Sequence, residues 1–484
     1  MDKKLIFQKG SAGRKNNYIR KPFFYLQEPH QIIPKEFLRE ELSLPSLGEL
    51  EVVRHYTNLA RLNFSLDTNF YPLGSCTMKY NPKVNEELAN LEGFTQLHPY
   101  QKEEDIQGAL GLIYNLEKIL CQITGMSKFT FQASSGAQGE LIGMAIIRKY
   151  HDIKGNRRRK VIVPDSSHGT NPATASLCGY EVVVVDSNKE GLVDIDKLYK
   201  LADKDVAAIM LTNPNTLGLF EENILEISDI IHKQGGFLYY DGANFNPLLG
   251  ITNPALMGFD VIHLNFHKTF STPHGCGGPG AGAVGVVPAL ADFLPVPVVE
   301  KKRNKFYFNY KIKLTIGRVR SFYGNFAVLI KAYVYLLMLG KEGLLRVAQN
   351  SVINANYIKE KLKDCYKVAY NKRCMHEIVF SCDKQKEKGV TALDIAKRLL
   401  DYQIHPPTMY FPLTVKEALM VEPTETENKE TLDYFVKTMM KIDKDINQDP
   451  IRIKNSPHTT PVRRVDEVSA ARSPNLRYDY TNET

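Results

Sequence analysis

Five short apolar runs, each closing on polar residues, constrain this chain more than any other feature: KVIVPD (160–165), EVVVVD (181–186), AAIMLTN (207–213), GFLYYD (236–241) and VIHLNF (261–266). A strand with one face in water alternates apolar and polar residues, whereas a strand covered on both faces reads as a continuous apolar run. Helix-like stretches such as ILEISDIIHKQGG (224–236) separate some of the runs. The pattern predicts an α/β fold with a mostly parallel, doubly wound sheet. Ligands of such sheets sit beyond the carboxyl ends of the strands. Those ends read ASSGAQ, PDSSHGTN, TNPNT, DGAN and NFHKT, all of them polar.

The flanking regions have a different character. Prolines at 22, 29, 34, 45, 72 and 82 break any long periodicity before residue 95, so residues 1–95 read as an extended N-terminal arm. In DIQGALGLIYNLEKILCQITG (105–125), Ile106, Leu110, Ile113, Leu116 and Leu120 share one helical face, and Gly125 ends the helix. A strand at KFTFQAS (128–134) and a helix from about Gln138 to Tyr150 follow. Residues 96–316 form the predicted large domain. Residues 317–484 form a smaller α+β domain and tail, with a long helix after 317, strands at MHEIVFSCD and LMVEP, and a helix at TALDIAKRLLDY.

Composition narrows the function. A net charge of +8 over 484 residues, with no basic stripe interleaved with aromatics, argues against nucleic acid as a partner. Seven scattered cysteines without a CxxC pair fit free thiols in a reducing compartment better than disulfides or a zinc site, and no metal is expected. The basic N-terminus lacks the apolar core of a signal peptide. The most apolar helical run, Phe326 to Leu339, is interrupted by Lys331 and is too short to span a bilayer. The expectation is a cytoplasmic protein.

The strand ends carry the chemistry. FHKTFSTPHGCGGPGAGAVGV (266–286) sets a single lysine, Lys268, between a buried strand and a glycine-rich loop. The loop lacks the Gly-Lys-Ser/Thr ending of a P-loop and leads into a strand instead of a helix, so nucleotide binding is disfavoured. A desolvated lysine loses its proton more readily and becomes a nucleophile for carbonyls. Asp241 ends the preceding strand; a lone aspartate there is most often a turn former. An aspartate facing a lysine imine is, however, what pyridoxal phosphate chemistry needs, because the carboxylate keeps the pyridine nitrogen protonated. SSGAQGE (134–140) follows a strand and opens a helix, where backbone N–H groups and the helix dipole favour a phosphate; simple capping by Ser134 or Ser135 is the alternative. His168 stands at a further strand end, placed for a structural role or for stacking on an aromatic ring.

YPLGSCTMKYNP (71–82), ASSGAQGE (133–140), SSHGTNPATA (166–175), DGAN (241–244), FHKTFSTPHG (266–275), GRVRSFYGNF (317–326), HPPTMYFP (405–412) and EALMVEPTETE (417–427) together resemble the P-protein family of the glycine cleavage system. The length and the lysine-bearing motif resemble the second subunit of its two-subunit form. The resemblance implies fold type I of the pyridoxal-phosphate enzymes and pyridoxal 5'-phosphate as cofactor. It implies that Lys268 bonds the cofactor covalently, Asp241 pairs with the pyridine nitrogen and His168 stacks on the ring. It further implies that Ser135, Gly136 and Ala137 hold the phosphate, with Ala243 and His267 close by. Cys276 and Ala283 depart from the family pattern, standing where Gly and Pro are expected in the glycine-rich loop.

The implied reaction is decarboxylation of glycine, with the aminomethyl group passing to the oxidised lipoyl arm of the H-protein. Lys268 or His168 would move protons. The implied partners are a homologous subunit 1, two of each subunit, and the H-protein; YPLGSCTMKYNP would line a channel for the lipoyl arm or form a surface turn. Charge alone makes Arg318, Arg320 and Lys79 candidates for the glycine carboxylate, with arginine the better geometric match. Two rival readings are another fold-type-I enzyme, such as an aminotransferase or amino-acid lyase, and a non-catalytic scaffold that completes a partner's site.

Overall fold

The computed structural model describes residues 4–10, 14, 23, 27–40, 44–275 and 280–478, so Cys276 lies outside the described residues. Contacts divide the chain into two units, residues 1–65 and 66–484. The first contains one helix of length, α1 (Glu49–Ala60), whose Glu51 side chain accepts the N–H of Gly48 at 3.0 Å.

In the second unit, strands β1 (Lys128–Thr130), β2 (Lys160–Pro164), β3 (Glu181–Val185), β4 (Val206–Thr212), β5 (Phe237–Gly242), β6 (Val261–Asn265) and β7 (Gly282–Val286) form one sheet in the order β1-β7-β6-β5-β4-β2-β3. Strands β2 to β6 pair in parallel, and β7 runs antiparallel to both β6 and β1. The helices that matter here are α2 (Gln107–Thr124), α3 (Gly136–Ile153), α4 (Thr170–Leu177), α5 (Ile224–Lys233), α6 (Phe326–Leu362), α7 (Ala392–Leu400) and α8 (Lys429–Gln448). Helix α2 ends where Gly125 adopts φ 75°, a left-handed conformation that a side chain would disfavour.

The central runs are buried as their continuous apolar character predicts: every residue of β4 and β6 is inside. EVVVVD is the exception. It forms the edge strand β3, and Val184 is 52% exposed. A run of valines satisfies strand propensity at an edge as well as in the centre, so composition does not reveal which neighbour is missing. Ala283, expected in the mobile loop, instead lies inside β7, fully buried and opposite Leu264. The peptide groups around it are tied into the sheet.

A hairpin of β8 (Val298–Lys302) and β9 (Lys305–Asn309) leads to α6, which kinks at Gly340. Its first part sends Val328, Leu329, Ala332 and Leu336 into the large core; its second part sends Ala355, Ile358 and Leu362 into a separate core. The expected boundary at 316/317 lies ahead of this shared helix. The second core belongs to an antiparallel sheet of β10 (Lys367–Val368), β11 (Ile378–Ser381), β12 (Thr408–Met409) and β13 (Ala418–Val421), ordered β10-β11-β13-β12, with side chains from α7 and α8 in the same core. The segment at 71–82 reaches this sheet, where Leu73 bridges Val421 and the N–H of Gly74 donates to the Met420 carbonyl.

Candidate active site

The carboxyl ends of the parallel strands surround a cavity of about 170 Å³. The turn from β1 into α3 contributes Ser135, Gly136 and Ala137, and α3 itself contributes Glu140. The turn after β2 brings His168; β4 ends there with Thr212, β5 with Asp241 followed by Ala243 and Asn244, and β6 with His263 and Asn265 followed by His267 and Lys268. Ser75 enters from the 71–82 segment. All eight residues singled out from sequence border this one cavity: Ser135, Gly136, Ala137, His168, Asp241, Ala243, His267 and Lys268.

Helix α3 begins at the cavity. Ser135 caps it, accepting the Gln138 N–H at 3.2 Å, and the first-turn N–H groups of an 18-residue helix give a site suited to an anion. The backbone is packed too closely there for side chains. A Cβ on Gly136 would lie 2.4 Å from Asn265 Oδ1, and one on Gly280 would lie 2.3 Å from the Ser134 carbonyl. Among the described residues, Asn265 Oδ1, His267 Nδ1 and Thr212 Oγ1 are buried without a hydrogen-bond partner. A buried polar atom without a partner costs free energy, so unmet groups around a cavity mark a place for a polar ligand. This donor set, a helix N-terminus, an aspartate and a lysine, fits a phosphorylated pyridine aldehyde.

Asp241 is 3% exposed, and three polar groups hold its two oxygens. Its Oδ2 accepts Asn171 Nδ2 at 3.0 Å, and its Oδ1 accepts the Ala243 N–H at 3.0 Å and lies 3.2 Å from His263 Nε2. Burial pulls this carboxyl upward, but His263, Asn171, Ala243 and Lys268 outweigh it and hold the pKa below its ordinary value. Asp241 is therefore ionised. Burial lowers the pKa of His263, whose Nδ1 lies 2.8 Å from the Tyr239 hydroxyl. Burial, with His274 and Lys268 adding to it, pushes His267 down to about 3, so that imidazole is neutral.

Lys268 Nζ donates to the Ser75 carbonyl at 2.7 Å. The loop that presents this carbonyl is gripped from the small domain. Glu377 Oε2 accepts the Ser75 N–H at 2.8 Å, Glu377 Oε1 accepts Asn244 Nδ2 at 3.2 Å, and Glu422 Oε2 accepts the Thr77 N–H at 3.1 Å. Burial, with Glu422 next to it, raises Glu377 well above the usual carboxylate range, and burial lifts Glu422 to about 7.

The carboxylate candidates fare differently. Lys79 does not border the cavity; it is 1% exposed, and its Nζ is held by Glu425 Oε1 at 2.7 Å and by Asn246 Oδ1 and Tyr335 OH, each at 2.9 Å. Its charge is used inside the protein. Arg318 lies over the Tyr310 ring at 5.2 Å, and neither it nor Arg320 borders the cavity. Sequence reasoning missed Ser75, Glu140, Thr170, Asn171, Thr212, His263 and Asn265. Glu140 stood inside the quoted ASSGAQGE, but only the helical register turns it back towards Asp241. His263 sat in an apolar run where a buried histidine is an ordinary core residue.

Fold and cavity together define a fold-type-I pyridoxal-phosphate enzyme. The family model described as glycine cleavage system P-protein matches residues 26–304, and that described as glycine dehydrogenase, C-terminal domain, matches residues 347–461. A probable glycine dehydrogenase (decarboxylating) subunit 2 of Caldanaerobacter subterraneus subsp. tengcongensis is 57% identical over 477 residues, covering 98% of each chain. Among solved structures, an inhibitor-bound glycine decarboxylase (P-protein) of the glycine cleavage system superposes with a TM-score of 0.72 at 20% identity, covering 85% of this chain and 93% of that one. A glutamate decarboxylase of Lactobacillus brevis gives 0.65 at 14% identity, covering 85% and 96%. The chain belongs to the glycine cleavage system P-protein family.

Proposed function

We propose that this chain is the lysine-bearing subunit of a glycine decarboxylase, acting with pyridoxal 5'-phosphate in glycine cleavage. The observation that carries the reading is the placement of Lys268 and the ionised Asp241 at the ends of neighbouring parallel strands, at one cavity bordered by the N-terminus of α3. Both family models support it, because together they extend before residue 100 and beyond residue 400. A scaffold role would leave Lys268, Asp241 and His168 at these strand ends without a shared task.

In this reading Ser135, Gly136 and Ala137 hold the phosphate by backbone N–H groups and the helix dipole. Asp241 would keep the ring nitrogen protonated, His168 would cover the ring, and His267 and Asn265 would supply polar atoms that have no other partner among the described residues. The bound cofactor supplies an electron sink for the bonding pair released when glycine loses carbon dioxide. Lys268 would hold the cofactor through Nζ and would give up that place to the glycine amine. The freed amine then has the Ser75 carbonyl as its acceptor. Lys268 and His168 both stand where a proton would be moved. The net transfer would leave the aminomethyl group on one sulfur of the oxidised lipoyl arm of the H-protein and the second sulfur, which keeps the electron pair of the broken disulfide, protonated, with the Lys268 amine retaking its place on the cofactor as the aminomethyl nitrogen leaves.

The relatives' designation as subunit 2 implies a subunit 1. We assign to this chain a complex of two copies of each subunit, with the H-protein as transient partner and the cytoplasm as location. Among the described residues no helix is long and apolar enough to cross a membrane. Borohydride reduction of the protein purified with its partner subunit, followed by peptide mass mapping, tests the reading. A pyridoxyl adduct on Lys268 together with glycine-dependent carboxyl exchange is the expected result. An unmodified Lys268 in a folded, cofactor-supplied complex would overturn it.

A further inference from the structure

The segment that carries Lys268 and the 71–82 segment meet side chain to backbone. Lys268 Nζ donates to the Ser75 carbonyl at 2.7 Å, His274 Nε2 to the next carbonyl, that of Cys76, at 2.8 Å, and Ser271 Oγ to that of Tyr80. A carbonyl only accepts, so His274 carries a proton on Nε2. Burial, with Lys268 adding to it, pushes this imidazole down to about 4, so it is neutral and Nε2 is its donor.

Three successive peptide groups run from Gly74 to Thr77, and the outer two are pinned at both ends. In the first, the Gly74 carbonyl accepts Thr408 Oγ1 at 2.8 Å and the Ser75 N–H donates to Glu377 Oε2 at 2.8 Å. In the third, the Cys76 carbonyl accepts His274 Nε2 and the Thr77 N–H donates to Glu422 Oε2 at 3.1 Å. The middle group presents the Ser75 carbonyl to Lys268. A peptide group is planar and turns only about the dihedrals that flank it, so two pinned planes aim the carbonyl between them. Thr408 lies in β12, Glu377 immediately before β11 and Glu422 immediately after β13. Of the four pinning side chains, His274 comes from the lysine's own segment, and so it fixes the carbonyl relative to Lys268.

Ser75 borders the cavity. When glycine takes the place of Lys268, one amine is exchanged for another and no electrons are gained or lost. The freed Nζ carries up to three hydrogens and needs an acceptor. An interaction present on one side of an equilibrium shifts it by its own free energy. An acceptor already aimed at Nζ costs less ordering than one that must be found.

We propose that His274 is a positioning residue that fixes the Ser75 carbonyl as the receptor for the displaced Lys268 amine, and so favours bound glycine over return of the lysine. The proposal rests on the cofactor reading given above.

The test uses the holoenzyme with its partner subunit and the same complex freed of cofactor. His274→Leu should raise the glycine KM of carboxyl exchange roughly tenfold, the order of one hydrogen bond from a charged group, and lower kcat far less. In the cofactor-free complex, acetylation of Lys268 at fixed pH, read by peptide mass mapping, should be faster in the variant, because the amine is held at the carbonyl less of the time. His274→Gln, whose carboxamide N–H can donate to the Cys76 carbonyl, should restore both values. Thr408→Val frees the first plane from the small-domain side and should act in the same direction, so it carries the test if His274→Leu does not fold. Unchanged KM and acetylation in both His274→Leu and Thr408→Val, or a fall in kcat with KM unmoved, would overturn the receptor role; with the pyridoxyl adduct still found on Lys268, the cofactor reading would stand. Absence of the adduct in the wild type would overturn both.

Discussion

Lys268 and Ser75 are 193 residues apart in the chain, yet the lysine Nζ donates to the serine carbonyl at 2.7 Å. The loop that makes this possible is held in an unfavourable conformation: Ser75 has φ 65° and Thr77 φ 41°. Left-handed backbone at a residue other than glycine costs on the order of 1 kcal/mol each. Two buried carboxyl groups, Glu377 and Glu422, accept the Ser75 and Thr77 amides and hold the loop in that conformation. The small domain thereby shapes the surroundings of a lysine carried by the large one.

Replacing Lys268 by alanine should abolish glycine-dependent carboxyl exchange while leaving the circular dichroism spectrum unchanged, because the side chain is only partly buried and its side-chain hydrogen bond among the described residues is to a backbone carbonyl. Normal exchange in Lys268→Ala would remove the lysine from the mechanism.

Asp241→Ala should slow decarboxylation by about 100-fold or more, the order expected when a fixed charge facing the reacting system is lost. Cofactor retention should fall much less, since the α3 N-terminus and Lys268 remain. Equal turnover in the variant and the wild type would show that another group handles the ring nitrogen.

Glu422 makes stability depend on pH. Its folded-state pKa is raised to about 7 from an ordinary value of 4.5. The carboxyl therefore contributes its full stability below about pH 4.5, and this is lost as pH rises through about 7. Glu422→Gln carries no such ionisation. Its stability relative to the wild type should increase between pH 5 and pH 8, by at most about 3 kcal/mol. Denaturant unfolding at the two pH values reads this directly, and a constant difference would show that Glu422 does not titrate in the fold.

Lys79 and Glu425 form a buried pair at 2.7 Å. Lys79→Met should destabilise the protein by about 3–5 kcal/mol, because it leaves the Glu425 charge without its partner. Adding Glu425→Gln should recover part of that loss. If the single and double variants unfold at the same denaturant concentration, the pair is not coupled.

Much of the fold was legible because burial on both faces leaves a direct mark on composition. β4 reads as an uninterrupted apolar run and β6 as one broken only by His263, and their polar ends marked where the cavity lies. The same logic failed for β3, whose valines look central but lie at the edge. At the site, Lys268, Asp241, His168 and the Ser135–Ala137 turn were visible because each stands at a strand end. Glu140 and Asn171 were not, since their meaning depends on helices bringing them to Asp241 from elsewhere in the chain. Lys79 was misjudged for a similar reason. A lysine in a proline-bounded segment looks free until Glu425, 346 residues away, is seen beside it.

The sequence by itself determined the class of fold, the strands that carry the chemistry and the lysine most suited to hold a carbonyl cofactor. These follow from local periodicity and from residue types at strand ends, which are properties of neighbours in the chain. Tertiary structure decided the charge states and the partners: the ionised Asp241, the raised Glu140 and Glu422, and the carbonyl that receives Lys268. Those depend on desolvation and on contacts between segments far apart in sequence, because the electrostatic energy of a buried group is set by what surrounds it in space.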